Sequence, residues 1–148
     1  MFDKNLGGPI SPIVFDELKS WTLRPEPSLK YYSGTAIYRN RFLIGKNETP
    51  TVAILGLDSI CDIATIKING IDCGTLWTQP YKLDVTKAIK AGENDIEIAV
   101  TNTWHNRLIG DVLSSQDEKV TWTTAPFRLK DKPLLPSGLI GSVKLLIK

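Results

Sequence analysis

One histidine, one methionine and two cysteines are all that 148 residues contain of the side chains most often used as soft metal ligands. A lone His105 cannot build a zinc site without Cys or carboxylate helpers at ligand spacing, and Cys61 and Cys73 are not so placed. No metal and no cofactor is therefore expected. No run of 18 apolar residues occurs, and the first twenty residues carry acids and prolines where a signal peptide needs an apolar block, so neither a membrane-spanning helix nor a signal peptide is expected. No charge sign dominates: eighteen Lys and Arg stand against sixteen Asp and Glu, and the basic residues are scattered. Without a basic patch, nucleic acid and membrane surfaces are not expected as partners. Phosphate-cradling Gly-rich loops and the GxSxG nucleophile elbow are absent as well.

What is present is an ordinary globular composition, with 42% hydrophobic and 23% charged residues, which excludes disorder and coiled coil. One domain over 1–148 is expected, with 1–13 as a flexible lead-in. The dominant hydrophobic period is two. Strands are predicted over 35–42, 51–57, 62–68, 95–101, 120–124 and 142–147, with shorter ones over 72–76 and 82–85. Ala64, Ile66 and Ile68 face inward in one of them, and Ile96, Ile98 and Val100 in another. One-sided burial of this kind belongs to antiparallel sheets. Turn signals at Lys46-Asn47-Glu48, Asn69-Gly70, Gly92-Glu93-Asn94 and Pro136-Ser137-Gly138 divide the strands, which fits an all-β antiparallel sandwich. Helix evidence is confined to Thr86–Ala91, with Thr at its start and Gly92 at its stop, and to an ambiguous stretch over 12–21. Arg24-Pro25-Glu26-Pro27 reads as an extended connector.

A two-residue turn at Asn69-Gly70 pairs Ile68 with Ile71, Lys67 with Asp72 and Ile66 with Cys73. Cys61 then lies roughly 16 Å from the position opposite Cys73 at 3.3 Å per residue, and on the other face. Two separate thiols are expected. The carboxylates Asp58, Asp62, Asp72, Asp84, Glu93 and Asp95 fall at turns and strand ends, where local hydrogen bonding explains them. Asp111 differs, because the segment 106–110 before it has no clean period. Trp77 and Trp104 sit where loops begin, either capping the core or offering flat amphipathic rings to a sugar or a protein. Trp21 and Trp122 are expected in core or edge packing. Asn47-Glu48-Thr49 matches a glycosylation acceptor, which has meaning only in the eukaryotic secretory route.

Ile66 to Trp77 (IKINGIDCGTLW), Pro80-Tyr81, Asp84-Val85-Thr86 and Gly92 to Ile98 (GENDIEI) together resemble the sugar-binding-type sandwich of family 2 glycoside hydrolases, the galactose-binding-like jelly roll. Tyr32 to Ala36 (YSGTA), Thr101 to Asp111 (TNTWHNRLIGD) and Leu134 to Gly141 (LLPSGLIG) are similar to the C-terminal sandwich of bacterial glycoside hydrolase family 106 enzymes, the α-L-rhamnosidase type. Ser142 departs from the proline expected after that last glycine. The resemblance implies that the catalytic carboxylates lie in a separate barrel module, that this chain has no catalytic residues, and that the parent enzyme is periplasmic or secreted. It implies an accessory module that supports or docks to the barrel and contacts plant-type or bacterial polysaccharide. A stand-alone carbohydrate-binding module and a pure structural scaffold remain as alternatives. The loops holding Trp77, Gln79 and Tyr81, and Trp104, His105, Asn106, Arg107 and Asp111, are expected to meet at one end of the sandwich as the contact surface. Arg107 is either a brace buried against Asp111 or an exposed ligand contact.

Overall fold

A computed structural model describes residues 1–45, 50–124, 129 and 131–148. The described residues hold seven strands, β1 (Thr35–Ile44), β2 (Ala53–Cys61), β3 (Ile63–Ile68), β4 (Ile71–Leu76), β5 (Lys82–Asp84), β6 (Gly92–Thr101) and β7 (Gly138–Ile147). They form two antiparallel sheets, one ordered β1-β6-β3-β4 and the other β5-β2-β7. Alternation decides which face is buried. Ala64, Ile66, Ile68, Ile96, Ile98 and Val100 point from the first sheet into a core shared with Ala53, Leu55, Leu57 and Leu139 of the second. These are the inward positions that the period of two predicts.

Asn69-Gly70 closes the β3–β4 hairpin with φ of 53° and 80°, the pair of left-handed conformations that such a two-residue turn needs. The register follows the prediction for Ile68–Ile71 and Lys67–Asp72, then shifts, so that Ile66 opposes Gly74 and Cys73 occupies the irregularity. Cys61 ends β2 in the other sheet, and both thiols are free and half-buried. Gly92-Glu93-Asn94 is part of β6 rather than a turn, with Glu93 opposite Leu43 and Asn94 opposite Phe42. Asn94 is fully buried there, and its carboxamide bonds Lys90 N and O, Gly92 O and the Asn69 side chain. Asn69 in turn bonds Ala88 O and Asp95 N. The NG and GEN motifs are thus one polar clasp at a single end of the sandwich.

Helices are few. α1 (Pro27–Lys30) starts at the last residue expected in the extended connector, with proline in the first turn, where its missing N–H costs nothing. The predicted helix at Thr86 is a single 3-10 turn, Thr86–Ala88, braced by Asp84, whose Oδ1 accepts from Thr86 N at 2.9 Å and Thr86 Oγ1 at 2.6 Å. The stretch over 12–21 has no helix beyond the 3-10 turn Trp21–Leu23. α2 (His105–Leu113) arises where no period was visible. The predicted strand over 120–124 is irregular: the groups of Thr121 bond the Asp111 carboxylate instead of a neighbouring strand. Residues 1–13, expected as a flexible lead-in, begin with a docked residue. Phe2 is buried, bridges Ala36 of β1 and packs its ring on Trp21 and Tyr32. The Asn47 acceptor pattern and the turn signal around it lie outside the described residues. Among the described residues no helix is long and apolar enough to cross a membrane.

Two exposed carboxylates make acid stability testable. Asp84 is held below the ordinary aspartate range, first by the Thr86 hydroxyl and then by its backbone N–H. Asp58 is held down in the same way by the hydroxyl and N–H of Ser142. A lowered folded pKa contributes stability that is present above the unfolded value, near 4, and lost as pH falls through the folded value. The urea midpoint should therefore fall between pH 6 and pH 3, and the double variant Asp58→Asn/Asp84→Asn should show a shallower fall. An unchanged slope in that variant would rule out these two groups as its source.

Candidate functional site

The register locates the two tryptophan loops. Leu76 opposes Ala64, Ala64 opposes Val100 and Val100 opposes Ala36, so the chain leaves β4 and β6 at the same end of the four-stranded sheet. The two exits are two strands apart, roughly 10 Å at ~4.8 Å per strand. Trp77 is 71% exposed and Trp104 60%. Gln79 is exposed as well, while Tyr81 is half-buried against the core and His105 bonds Pro133 O through Nε2 at 3.0 Å.

The other three site residues lie inside. Asn106, Arg107 and Asp111 are 2%, 6% and 3% exposed on the inner face of α2. Asn106 grips the irregular chain that leads into β7: Nδ2 donates to Leu135 O and Ser137 Oγ, and Oδ1 accepts from Leu135 N. Asn102 grips the other side, accepting from Gly34 N and donating to Tyr32 O and Ser137 Oγ. Arg107 N donates to Ser33 Oγ. The YSG, NTWHNRLIGD and LPSG segments, far apart in sequence, thus converge on one buried polar hub that seats α2 on the sandwich. Of its two expected placements, Arg107 takes the brace buried against Asp111. Its Nε lies 3.1 Å from Asp111 Oδ1, an ion-pair distance, although the N–H is not aimed along a hydrogen bond. Asp111 also accepts from Val120 N, Thr121 N and Thr121 Oγ1. Gly110 is needed for this closeness: a Cβ there would lie 2.5 Å from Arg107 Nη2 and 2.7 Å from Tyr31 Cβ.

With its polar residues turned inward, α2 presents an apolar stripe outward. Trp104, Leu108 and Val112 recur at i, i+4 and i+8, the spacing of one helix face, and Leu113 is exposed beside them. Trp122, expected in core or edge packing, is 84% exposed one residue from the Thr121–Asp111 contact, and Leu135 is exposed at the Asn106 contact. These neighbours escaped the sequence reading, although the Trp104–Leu108–Val112 spacing was available in it.

The remaining carboxylates have local partners. Asp62 accepts from Thr103 N, Asp72 from Gly74 N, and Glu93 and Asp95 pair with Arg41. Among the described residues no three His, Cys, Asp or Glu side chains gather as a metal-holding group.

Two antiparallel sheets with an accessory helix at one end define a galactose-binding-like β-sandwich, with Asn102, Asn106, Arg107 and Asp111 at that end held in internal contacts. The chain belongs to the family described as the glycosyl hydrolase 2 galactose-binding domain-like domain, whose model matches residues 25–128. A rhamnosidase structure from Novosphingobium sp. PP1Y superposes with a TM-score of 0.89 at 41% identity, covering 97% of this chain and 14% of that one. A protein of Formosa agariphila named "Putative beta-glucuronidase" is 38% identical over 92% of this chain, again 14% of the relative's length. A β-glucuronidase from Ruminococcus gnavus, at 19% identity and a TM-score of 0.55 over 66% of this chain and 17% of its own, shares the fold. The chain therefore spans about a seventh of the first two relatives.

Proposed function

We propose that the chain acts as a non-catalytic accessory module of a glycoside hydrolase of the family 106, α-L-rhamnosidase type, docking through the outer face of α2 onto the catalytic module. The parent enzyme would work in the periplasm or outside the cell. One observation carries this reading: the outward stripe Trp104–Leu108–Val112, on a helix whose inner face is locked to the sandwich. An exposed apolar surface backed by a rigid polar hub suits a permanent protein contact. Its separate sandwich architecture and the full-length match to a small part of a rhamnosidase support the accessory role.

The test is a chimera in which this chain replaces the matching segment of the Novosphingobium rhamnosidase. In the chimera Trp104 should be shielded from iodide quenching, which it is not in the isolated chain. Trp104→Ala should weaken the contact by more than ~1 kcal/mol, read as earlier separation of the modules in urea, without lowering the midpoint of the isolated chain. A Trp104 equally quenched in both contexts would refute docking. Trp77, with exposed Gln79 two residues on, supports a second reading in which this end of the sandwich also stacks a sugar ring. Titration of the isolated chain with L-rhamnose, read by Trp77 fluorescence against Trp77→Ala, separates the two.

A further inference from the structure

Gly56 lies in mid-β2 directly opposite Lys82 of β5 on one side and Lys144 of β7 on the other. Cross-strand partners project to the same face, so two lysines flank a position with no side chain on the outer surface of the three-stranded sheet. The notch is open: a Cβ on Gly56 would meet nothing nearer than Lys144 O at 3.9 Å. Ile54 and Leu146, paired in the adjacent row, form an apolar floor, and the Pro80-Tyr81 chain runs along the side. The resulting cleft has a volume of about 370 Å³, within the ~300–1,000 Å³ of small-ligand sites.

The charges lining it are unequal. Lys144 Nζ lies 3.5 Å from Asp58 Oδ1, and Asp58 is already bonded to Ser142. Lys82 has no ion pair among the described residues. One carboxylate against two ammonium groups leaves a positive cleft with an apolar strip and the Gln79 amide at its rim. A small inorganic anion would leave the apolar strip unused, and a neutral sugar would leave Lys82 unpaired. We infer that this cleft binds a uronic acid residue of a saccharide, its carboxylate between Lys82 and Lys144 and a C–H face of its ring on Ile54, Leu146 and Tyr81. The site is built from Gly56, Lys82 and Lys144 on the outer face of the three-stranded sheet, none of which belongs to the outer face of α2, and does not depend on docking there.

The ¹⁵N-labelled full chain should be titrated with D-glucuronate, digalacturonate, D-glucose and inorganic phosphate while amide shifts are followed. Glucuronate or digalacturonate should move the amides of Gly56, Lys82 and Lys144, the first probing a free monosaccharide and the second a chain-borne uronate. Glucose and phosphate should bind at least roughly tenfold more weakly, the difference expected of charge-assisted bonds. Gly56→Val, which fills the notch at a strand position with room for a side chain, should abolish those shifts. Lys82→Ala, at an exposed side chain outside the core, should weaken binding about tenfold. Equal affinity for glucose or phosphate, shifts that persist in a folded Gly56→Val, or no shift with either uronate would overturn the assignment. Trp104→Ala should leave the titration unchanged, so failure here and failure of docking are distinguishable.

Discussion

Asp111→Ala should destabilise the protein by about 3–5 kcal/mol, the range for removing one partner of a buried ion pair. The carboxylate is buried against Arg107 and accepts from two backbone N–H groups and the Thr121 hydroxyl, so its loss strands a buried guanidinium and two amides together. The inner face of α2 would lose its seat, and with it the geometry of the Trp104 stripe. Arg107→Met/Asp111→Leu should cost much less than the single change, because no charge is left unpaired in the interior. Urea unfolding followed by far-ultraviolet circular dichroism gives all three values. A loss below ~1 kcal/mol for Asp111→Ala would show that water reaches the pair and that it behaves as a surface bridge.

The same pair shows where sequence patterning reaches its limit. β3 and β6 were legible because Ala64, Ile66 and Ile68, and Ile96, Ile98 and Val100, alternate with Thr65 and Lys67 and with Asp95 and Glu97, the usual amphipathic sense. α2 mixes the senses: Asn106, Arg107 and Asp111 are buried together with Ile109, while Trp104 and Val112 are exposed with half-exposed Leu108 between them, and Gly110 interrupts it. A periodicity that assumes apolar means inside cannot find such a helix. Residues 120–124 fail for the converse reason. Their alternation is strand-like, but the partners of Thr121 are carboxylate oxygens and Trp122 is in solvent. The candidate site divides along the same line. Loop positions put Trp77 and Trp104 at strand exits but left open whether they cap the core, and both rings are exposed. Asn106, Arg107 and Asp111 looked like ligand groups because planar polar side chains in an aperiodic segment carry no sign of the hub that buries them, whose partners Ser33 and Ser137 lie 74 and 31 residues away in sequence. The Gly56 notch was equally hidden, since it depends on which lysines the register places beside a glycine.

Trp21→Ala should cost about 3–5 kcal/mol, the loss expected for a large buried aromatic. Trp21 is fully buried at the centre of a satellite core of Phe2, Leu29, Tyr32 and Ala36, with edge-on ring contacts to Phe2 at 5.1 Å and Tyr32 at 5.6 Å. Its Nε1 donates to Tyr38 Oη, which also accepts from Leu139 N, and its backbone N donates to Ser137 O. The ring lies so close on Gly138 that a Cβ there would be 2.4 Å from Nε1. Removing the ring therefore opens a cavity beneath Tyr32-Ser33 and Ser137, the residues that seat α2, so stability and the docking face should be lost together. Trp21→Phe keeps most of the packing and loses the donor to Tyr38, and should cost about 1–3 kcal/mol. Fluorescence gives a second readout, because Trp77, Trp104 and Trp122 are exposed and Trp21 alone of the four is buried. The blue-shifted part of the native emission should disappear in folded Trp21→Ala. Emission that keeps its blue component in that variant would place another tryptophan in the interior and refute the exposed assignment of the other three.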